Sequence, residues 1–167
     1  MKKPTEDKVK AAFAGESQAH MKYLAFAAAA EKERLANIAR LFRAASYSEQ
    51  VHATAHLGVL KGVGKTADNL QGAIDGETFE VNEMYPGYIA TGNEQEEKAA
   101  VMWFNYALQA EKVHAGLYKK AKEKADSGQD LGYVPIHVCG NCGFTVEGEA
   151  PDKCPVCGVP KDRFVQF

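Results

Sequence analysis

The feature that most constrains this chain is a set of glutamates and histidines in the middle of helical stripes that should bury hydrocarbon. In residues 104–120, "FNYALQAEKVHAGLYKK", the apolar Phe104, Ala107 and Leu108, and later Ala115 and Tyr118, fall at helical spacing, and Glu111 and His114 stand in the same stripe. Three other segments repeat the pattern: Val9, Ala12, Glu16, Ala19, Tyr23, Phe26 and Ala30; then Leu41, Ala45, Glu49, His52, His56 and Val59; then Leu70, Ala73, Glu77, Glu80 and Met84. A buried carboxylate without compensation costs several kcal/mol. Four helices with this pattern must therefore bring positive charge in among the carboxylates.

The arrangement is also duplicated. Glu16 and Glu49 are 33 residues apart, Glu77 and Glu111 are 34 apart, and each second glutamate opens a Glu-x-x-His. One glutamate from each of two helices with Glu-x-x-His from each of the other two is the ligand set of ferritin-like di-iron and di-manganese proteins. Two divalent cations would supply four positive charges among Glu16, Glu49, Glu77, Glu80 and Glu111. Carboxylate oxygens with one imidazole per metal suit iron or manganese better than zinc. A single Glu-x-x-His is ordinarily a solvated pair. Here the matched separations and the stripe positions argue for a dinuclear site.

Composition shifts near residue 127. Residues 5–125 are rich in Ala, Glu, Lys, Leu and Gln, and residues 137–167 carry Cys, Gly and Pro at turn spacing. The first helix is expected from an N-cap at Thr5, with Glu6 and Asp7 in its first turn, to about Glu33; the second from Asn37 to Lys61. The third covers Asn69 to Thr91 with a kink at Pro86–Gly87, and the fourth starts after Asn93, where Asn93 and Glu96 form a capping-box pattern, and ends near Ala125. Helix dipoles account for Glu94, Glu96 and Glu97 at its start and for Lys119, Lys120, Lys122 and Lys124 near its end. The link between the second and third helices is short for a ferritin-like crossover, so part of "TADNLQGAI" is expected to belong to that crossover. The fold class is mainly α: a ferritin-like four-helix bundle over 1–126, a linker over 127–136, and a small four-cysteine metal domain over 137–167, too small to fold without a staple.

The tail reads Cys139-x2-Cys142, then Cys154-x2-Cys157, two knuckles that can hold one tetrahedral metal through four thiolates. Gly143 and Gly158 follow the second cysteine of each pair, where backbone amides can approach the sulfurs. Phe144, Phe164 and Phe167 are the aromatic residues available for a small core. From the cysteines alone structural zinc is the better reading and iron the competing one. His137 beside the first knuckle reads as a surface residue.

The net charge of -2 gives no reason to expect nucleic acid or an anionic membrane surface as partner. The longest apolar run, "YLAFAAAA", is far shorter than the ~20 residues of a membrane span. "MKKPTEDKVK" is not followed by the apolar core of a signal peptide. With cysteines clustered as metal ligands rather than spread as disulfides, a reducing cytoplasm is the expected location.

Over essentially its whole length the sequence resembles the rubrerythrin family, in "FAGESQAHMKY", "SEQVHA", "GETFEVNEMYP", "EKVHAGLY" and the terminal "CPVCG" with its upstream partner knuckle. The resemblance implies a carboxylate-bridged di-iron centre, a rubredoxin-like domain with one iron on four thiolates, and a peroxidase that reduces hydrogen peroxide to water in oxidative-stress defence. It raises iron above zinc in the tail. By position it implies Glu16, Glu49 and His52 for one iron and Glu77, Glu111 and His114 for the other. It further implies that Glu80 exchanges with a histidine on redox change, and it places Tyr23 and Tyr85 near the centre. His20 and His56 lie one turn from ligand positions but match no family ligand. Electrons are expected from a separate NAD(P)H-dependent reductase or a small carrier. Glu111 lies about 14 residues before the end of its helix, roughly 20 Å, so the cysteine domain is expected to emerge far from its own chain's centre. A head-to-tail homodimer would shorten that span. The rival readings are a ferroxidase that oxidises and stores iron, in which the tail is superfluous, and a zinc-ribbon interaction module, which leaves the glutamates unexplained.

Overall fold

The computed structural model describes residues 1–167, and the chain divides into two compact units, Met1–Gly64 and Lys65–Phe167. The fold class is the expected one, mainly α with a small C-terminal four-cysteine domain.

The first unit is a helical hairpin of α1 (Lys3–Lys32) and α2 (Ala36–Val59). Helix α1 starts ahead of Thr5 because Pro4 lies in its first turn, where the ring presets φ and the missing N–H would have had no partner. Lys2 takes the N-cap position without a side-chain cap, and its carbonyl accepts from the Thr5 and Glu6 amides. The seam is made of small residues: Ala27, Ala30, Ala39, Ser46 and Ala53 are all buried. The stripes expected to be covered are covered only in part, with Leu41 67% exposed, because each helix of a hairpin has one neighbour.

In the second unit α3 (Thr66–Phe79), a π segment (Glu80–Met84) and α4 (Tyr85–Glu94) run continuously and pack along α5 (Lys98–Asp126). The stretch "TADNLQGAI" is therefore helical, contrary to the crossover expected there, and the link from α2 is residues 60–65. Leu70 and Ile74, one turn apart, give it an apolar edge, and Ile74 is buried. The π segment lies just before the Pro86–Gly87 pair at which a kink is expected. The Tyr85 amide donates to the Glu80 carbonyl five residues back, so the ladder shifts register ahead of a residue with no N–H. The capping box expected at Asn93 does not form: Asn93 lies in the last turns of α4 and α5 begins at Lys98. The reversal is closed instead by Glu96 in the left-handed region (φ 59) and by the Glu97 amide donating to the Gly92 carbonyl at 2.8 Å.

After α5 the chain turns back through residues 127–135 into a sheet of order β2-β1-β3, with β1 (Ile136–Cys139) antiparallel to both β2 (Thr145–Glu147) and β3 (Phe164–Gln166). Val138 pairs with Thr145 and with Val165. Phe144, Val156, Val159 and Phe164 pack on the buried cysteines together with Tyr106 of α5. Phe167 is not in that core: its backbone pairs with Ile136 while its side chain is 72% exposed.

Gly92 is buried, and a Cβ there would lie 2.7 Å from Val101 Cγ2, so α4 and α5 approach through this residue. Gly92→Ala is expected to lower the free energy of urea unfolding by about 1–3 kcal/mol. Gly72→Ala on α3, where a Cβ meets nothing within 4 Å, is expected to raise it by about 0.5–1 kcal/mol. Equal effects of the two would refute the close approach.

Candidate metal centres

Each unit builds its own set of two glutamates and one histidine. On the hairpin, α1 supplies Glu16 and α2 supplies Glu49 and His52, whose ligand atoms gather within 4.8 Å of one another. His52 Nδ1 lies 3.2 Å from Glu49 Oε2 and 3.9 Å from Glu16 Oε2. The hydrogen bond with Glu49 raises the Glu16 pKa, and burial adds to it; Glu49 is lowered by bonds from Glu16 and His52. The two carboxyls are thus pushed apart, Glu16 up and Glu49 down. His56 faces Glu16 and draws its pKa down slightly. His20 is a tie between helices: its Nδ1 donates to the Ser46 carbonyl at 2.9 Å, and the Ser46 hydroxyl donates to the His20 carbonyl at 2.9 Å.

In the second unit Glu77 of α3 and Glu111 and His114 of α5 form the matching trio. His114 Nδ1 lies 2.7 Å from Glu111 Oε2 and 3.9 Å from Glu77 Oε1. Burial, then the hydrogen bond and charge of Glu111, push the Glu77 carboxyl up to about 7. Glu80, at the start of the π segment, stands outside the trio, and burial and the Glu111 charge raise its pKa. Tyr85 is raised by burial and then by Glu111, Glu80 and Glu77, which puts it beside these carboxylates. Tyr23 lies in an aromatic cluster with Phe26 and Phe42.

These residues fit a divalent metal. Glu77 Oε2 is buried with no hydrogen-bond partner, a costly state for a carboxylate oxygen unless a cation or proton meets it. The donor set is hard oxygen with one imidazole in each trio, which suits iron or manganese.

The four cysteines are free thiols whose sulfurs lie within 4.8 Å of one another; Cys139–Cys157 and Cys142–Cys154 are each 3.6 Å apart. A tetrahedral ion with bonds of ~2.3 Å separates its sulfurs by about 3.8 Å, so the cage fits such an ion. Gly143 and Gly158 adopt φ 80 and 77, and this left-handed turn aims the following amides, of Phe144 and Val159, at the sulfurs of Cys142 and Cys157. Burial drives the Cys142 and Cys154 thiols up. Burial also opposes ionisation of Cys157, but bonds from Val159 N–H, the Asn141 side chain and the neighbouring thiols outweigh it and bring it to about 6.

Sequence reasoning missed the side chains that join this domain to α5. Thr145 Oγ1 lies 2.8 Å from His114 Nε2, and Lys120 Nζ reaches both oxygens of Glu147 at 2.9 and 2.8 Å. Lys120 is thus a tether rather than only a dipole charge. The expectation that the cysteine domain lies far from its own chain's ligands fails for this trio, because the linker brings β2 back to the level of His114. His137 is half-buried, its Nδ1 donating to the Gly148 carbonyl at 2.7 Å. Asn141 and Thr145 carry no signal of their own in the sequence.

Family comparison matches residues 7–122 to the rubrerythrin family and residues 137–165 to the rubredoxin-like domain of rubrerythrin. The chain belongs to the rubrerythrin family. It is 44% identical to rubrerythrin-2 of Clostridium acetobutylicum, over 98% of this chain and 96% of that one. It is 34% identical to nigerythrin of Nitratidesulfovibrio vulgaris, over 98% and 86%. The solved structure of fully reduced, all-ferrous nigerythrin superposes with a TM-score of 0.56 at 35% identity, over 98% of this chain and 86% of that one. The cofactors are accordingly those of the family: a di-iron centre on the glutamate–histidine sets and one iron in the rubredoxin-like four-cysteine site. The chain is an oxidoreductase of this oxidative-stress family, and no helix is long and apolar enough to cross a membrane.

Without metal, folded Glu77 keeps its proton to about pH 7, whereas the unfolded chain releases it near 4.5. Between those values the unfolded state binds fewer protons, so stability falls as pH rises. The urea midpoint of metal-free protein is expected to decline from about pH 5 to 7, Glu77→Gln to flatten the decline, and added Fe(II) to offset it. A midpoint that rises over this range would contradict the assignment.

Proposed function

We propose that the chain is a peroxidase that reduces hydrogen peroxide to water with electrons delivered through its four-cysteine iron. The observation that carries this reading is the rubredoxin-like site held against the helix that bears Glu111 and His114. A protein that only oxidises and stores iron has no use for such an electron inlet. When bound, the di-iron centre supplies the two electrons that, with two protons, convert one peroxide to two waters. Glu16, Glu49 and His52 hold one iron, and Glu77, Glu111 and His114 the other. Glu80, outside the trio and raised by burial, is the carboxylate available to hold a proton at the site or to take up a ligand position on redox change. Tyr85 lies beside those carboxylates, and Tyr23 lies in the aromatic cluster of the hairpin with Phe26 and Phe42.

The electron donor in this reading is a separate NAD(P)H-linked reductase or small redox protein, in the cytoplasm. The functional domains are the bundle over 1–126 and the rubredoxin-like domain over 137–167, joined by 127–136. The active form is a homodimer, head-to-tail. The distance argument for that dimer no longer holds for the His114 trio, and its support is the apolar surface each unit leaves open, Leu41 and Val51 on the hairpin and Phe79 and Trp103 on the second unit.

Protein purified without added metal is expected to carry about three irons per chain and a red iron–thiolate absorption. That absorption should bleach on reduction and return rapidly with peroxide. Iron that reoxidises with O2 but ignores peroxide would favour the ferroxidase, and a colourless protein with one zinc the ribbon. Glu80→Ala is expected to lower peroxide turnover about a hundredfold with the thiolate absorption and fold intact. Unchanged turnover would remove Glu80 from the reaction.

A further inference from the structure

We propose that Thr145 is the positioning residue for His114, so that filling the four-cysteine site tightens metal binding at the Glu77, Glu111 and His114 trio of the same chain. The two ring nitrogens of His114 have separate tasks. Nδ1 points at Glu111 Oε2 and Glu77 Oε1, at 2.7 and 3.9 Å, and is the atom that gathers with the carboxylates. A metal on Nδ1 leaves the proton of the neutral ring on Nε2. Nε2–H then donates to Thr145 Oγ1 at 2.8 Å, and the Thr145 hydroxyl donates onward to the Gly143 carbonyl at 3.2 Å. The direction of both hydrogen bonds is thereby fixed.

Thr145 is 4% exposed, and the bond sits at a cleft of about 440 Å³ lined by Leu70, Leu117, Tyr118, Ile136 and Val138. In such surroundings a hydrogen bond is stronger and its loss costlier than at a wet surface. The nearby Lys120–Glu147 pair is exposed and contributes little by comparison. On the hairpin His52 has its Nδ1 on Glu49 and is 52% exposed, with no side chain bonded to its Nε2. The two trios are alike in ligands and unlike in support.

The coupling follows from what holds Thr145. It pairs with Val138 in a sheet whose buried centre is the cysteine cluster, and its acceptor, Gly143, adjoins Cys142. A domain of about thirty residues of this composition depends on its metal to fold. Thr145 is therefore in place only when that metal is, and by reciprocity an occupied trio favours the folded cysteine domain. The inference rests on His114 as a metal ligand and not on peroxide chemistry, so a failed peroxide assay would leave it standing.

The test is a Co(II) titration followed by visible absorption, on full-length protein whose four-cysteine site has been filled with one equivalent of zinc. Thr145→Val is expected to weaken Co(II) at the His114 trio about tenfold and leave the His52 trio unchanged, while Thr145→Ser retains the wild-type affinity. Replacing Cys139 and Cys142 together by serine, which removes one whole knuckle and is checked by the loss of bound zinc, is expected to weaken the same trio to a similar degree, and to add little when combined with Thr145→Val. In the wild type with zinc in both the cysteine site and the His114 trio, imidazole nitrogen NMR is expected to show His114 with its proton on Nε2. Full Co(II) affinity in Thr145→Val, a Thr145→Ser as weak as the valine variant, additive losses in the combined variant, or a proton on Nδ1 would each overturn the proposal.

Discussion

Carboxylates held within a few ångströms of one another on packed helices cannot all be charged unless a cation stands among them, and the helical part of this protein is organised around that constraint. Without metal the strain is visible twice. Glu16 is pushed up by its neighbour Glu49, and Glu77 is pushed up to about 7 with one oxygen buried and unpartnered. An alternative packing that sent these glutamates to solvent would relieve the charge but turn the apolar residues of the same stripes outward. The ligand positions and the helix faces thus specify each other. Small residues complete the arrangement: Ala27, Ala30, Ala39, Ser46 and Ala53 let α1 and α2 approach closely enough for residues on different helices to share one ligand cluster.

The same logic operates in the cysteine domain with thiols in place of carboxyls. Burial opposes ionisation of Cys142 and Cys154, while amides and the Asn141 side chain favour it at Cys157. A cation resolves the conflict by taking all four as thiolates. The glycines after each knuckle serve this end, since only a left-handed residue turns the next amide back onto the sulfur.

The chemistry was legible in the sequence because it depends on local spacing. Glu-x-x-His places two ligands one helical turn apart, and Cys-x2-Cys places two sulfurs on one knuckle, wherever the elements later go. Features set by distant partners were not legible. His114 and Thr145 are 31 residues apart and neither side chain announces the other. The stripes on α1 and α2 carried the right residues, but a stripe says only that something must cover it, and the hairpin covers it with one neighbouring helix. Helix ends were misplaced where a cap pattern competed with backbone features, at Pro4 in the first turn of α1 and at left-handed Glu96 before α5. Between the two tyrosines the structure also discriminates: Tyr85 feels the charges of Glu111, Glu80 and Glu77, whereas Tyr23 is packed among aromatic rings.

Distance measured along a helix is a poor guide to distance in space once a linker can reverse the chain. From Glu111 to the end of α5 is roughly 20 Å at 1.5 Å per residue, but residues 127–135 run back and return β2 to the level of His114. This separates two demands that a head-to-tail dimer had been asked to meet together. Proximity between the cysteine site and one carboxylate–histidine set is met within a single unit of a single chain, by a part-buried hydrogen bond reinforced by an exposed ion pair. The open apolar surface of each unit, Leu41 on the hairpin and Trp103 on the second, is a different demand. It concerns the free energy of covering hydrocarbon, which a second copy can satisfy without having to serve as the conductor between the metals.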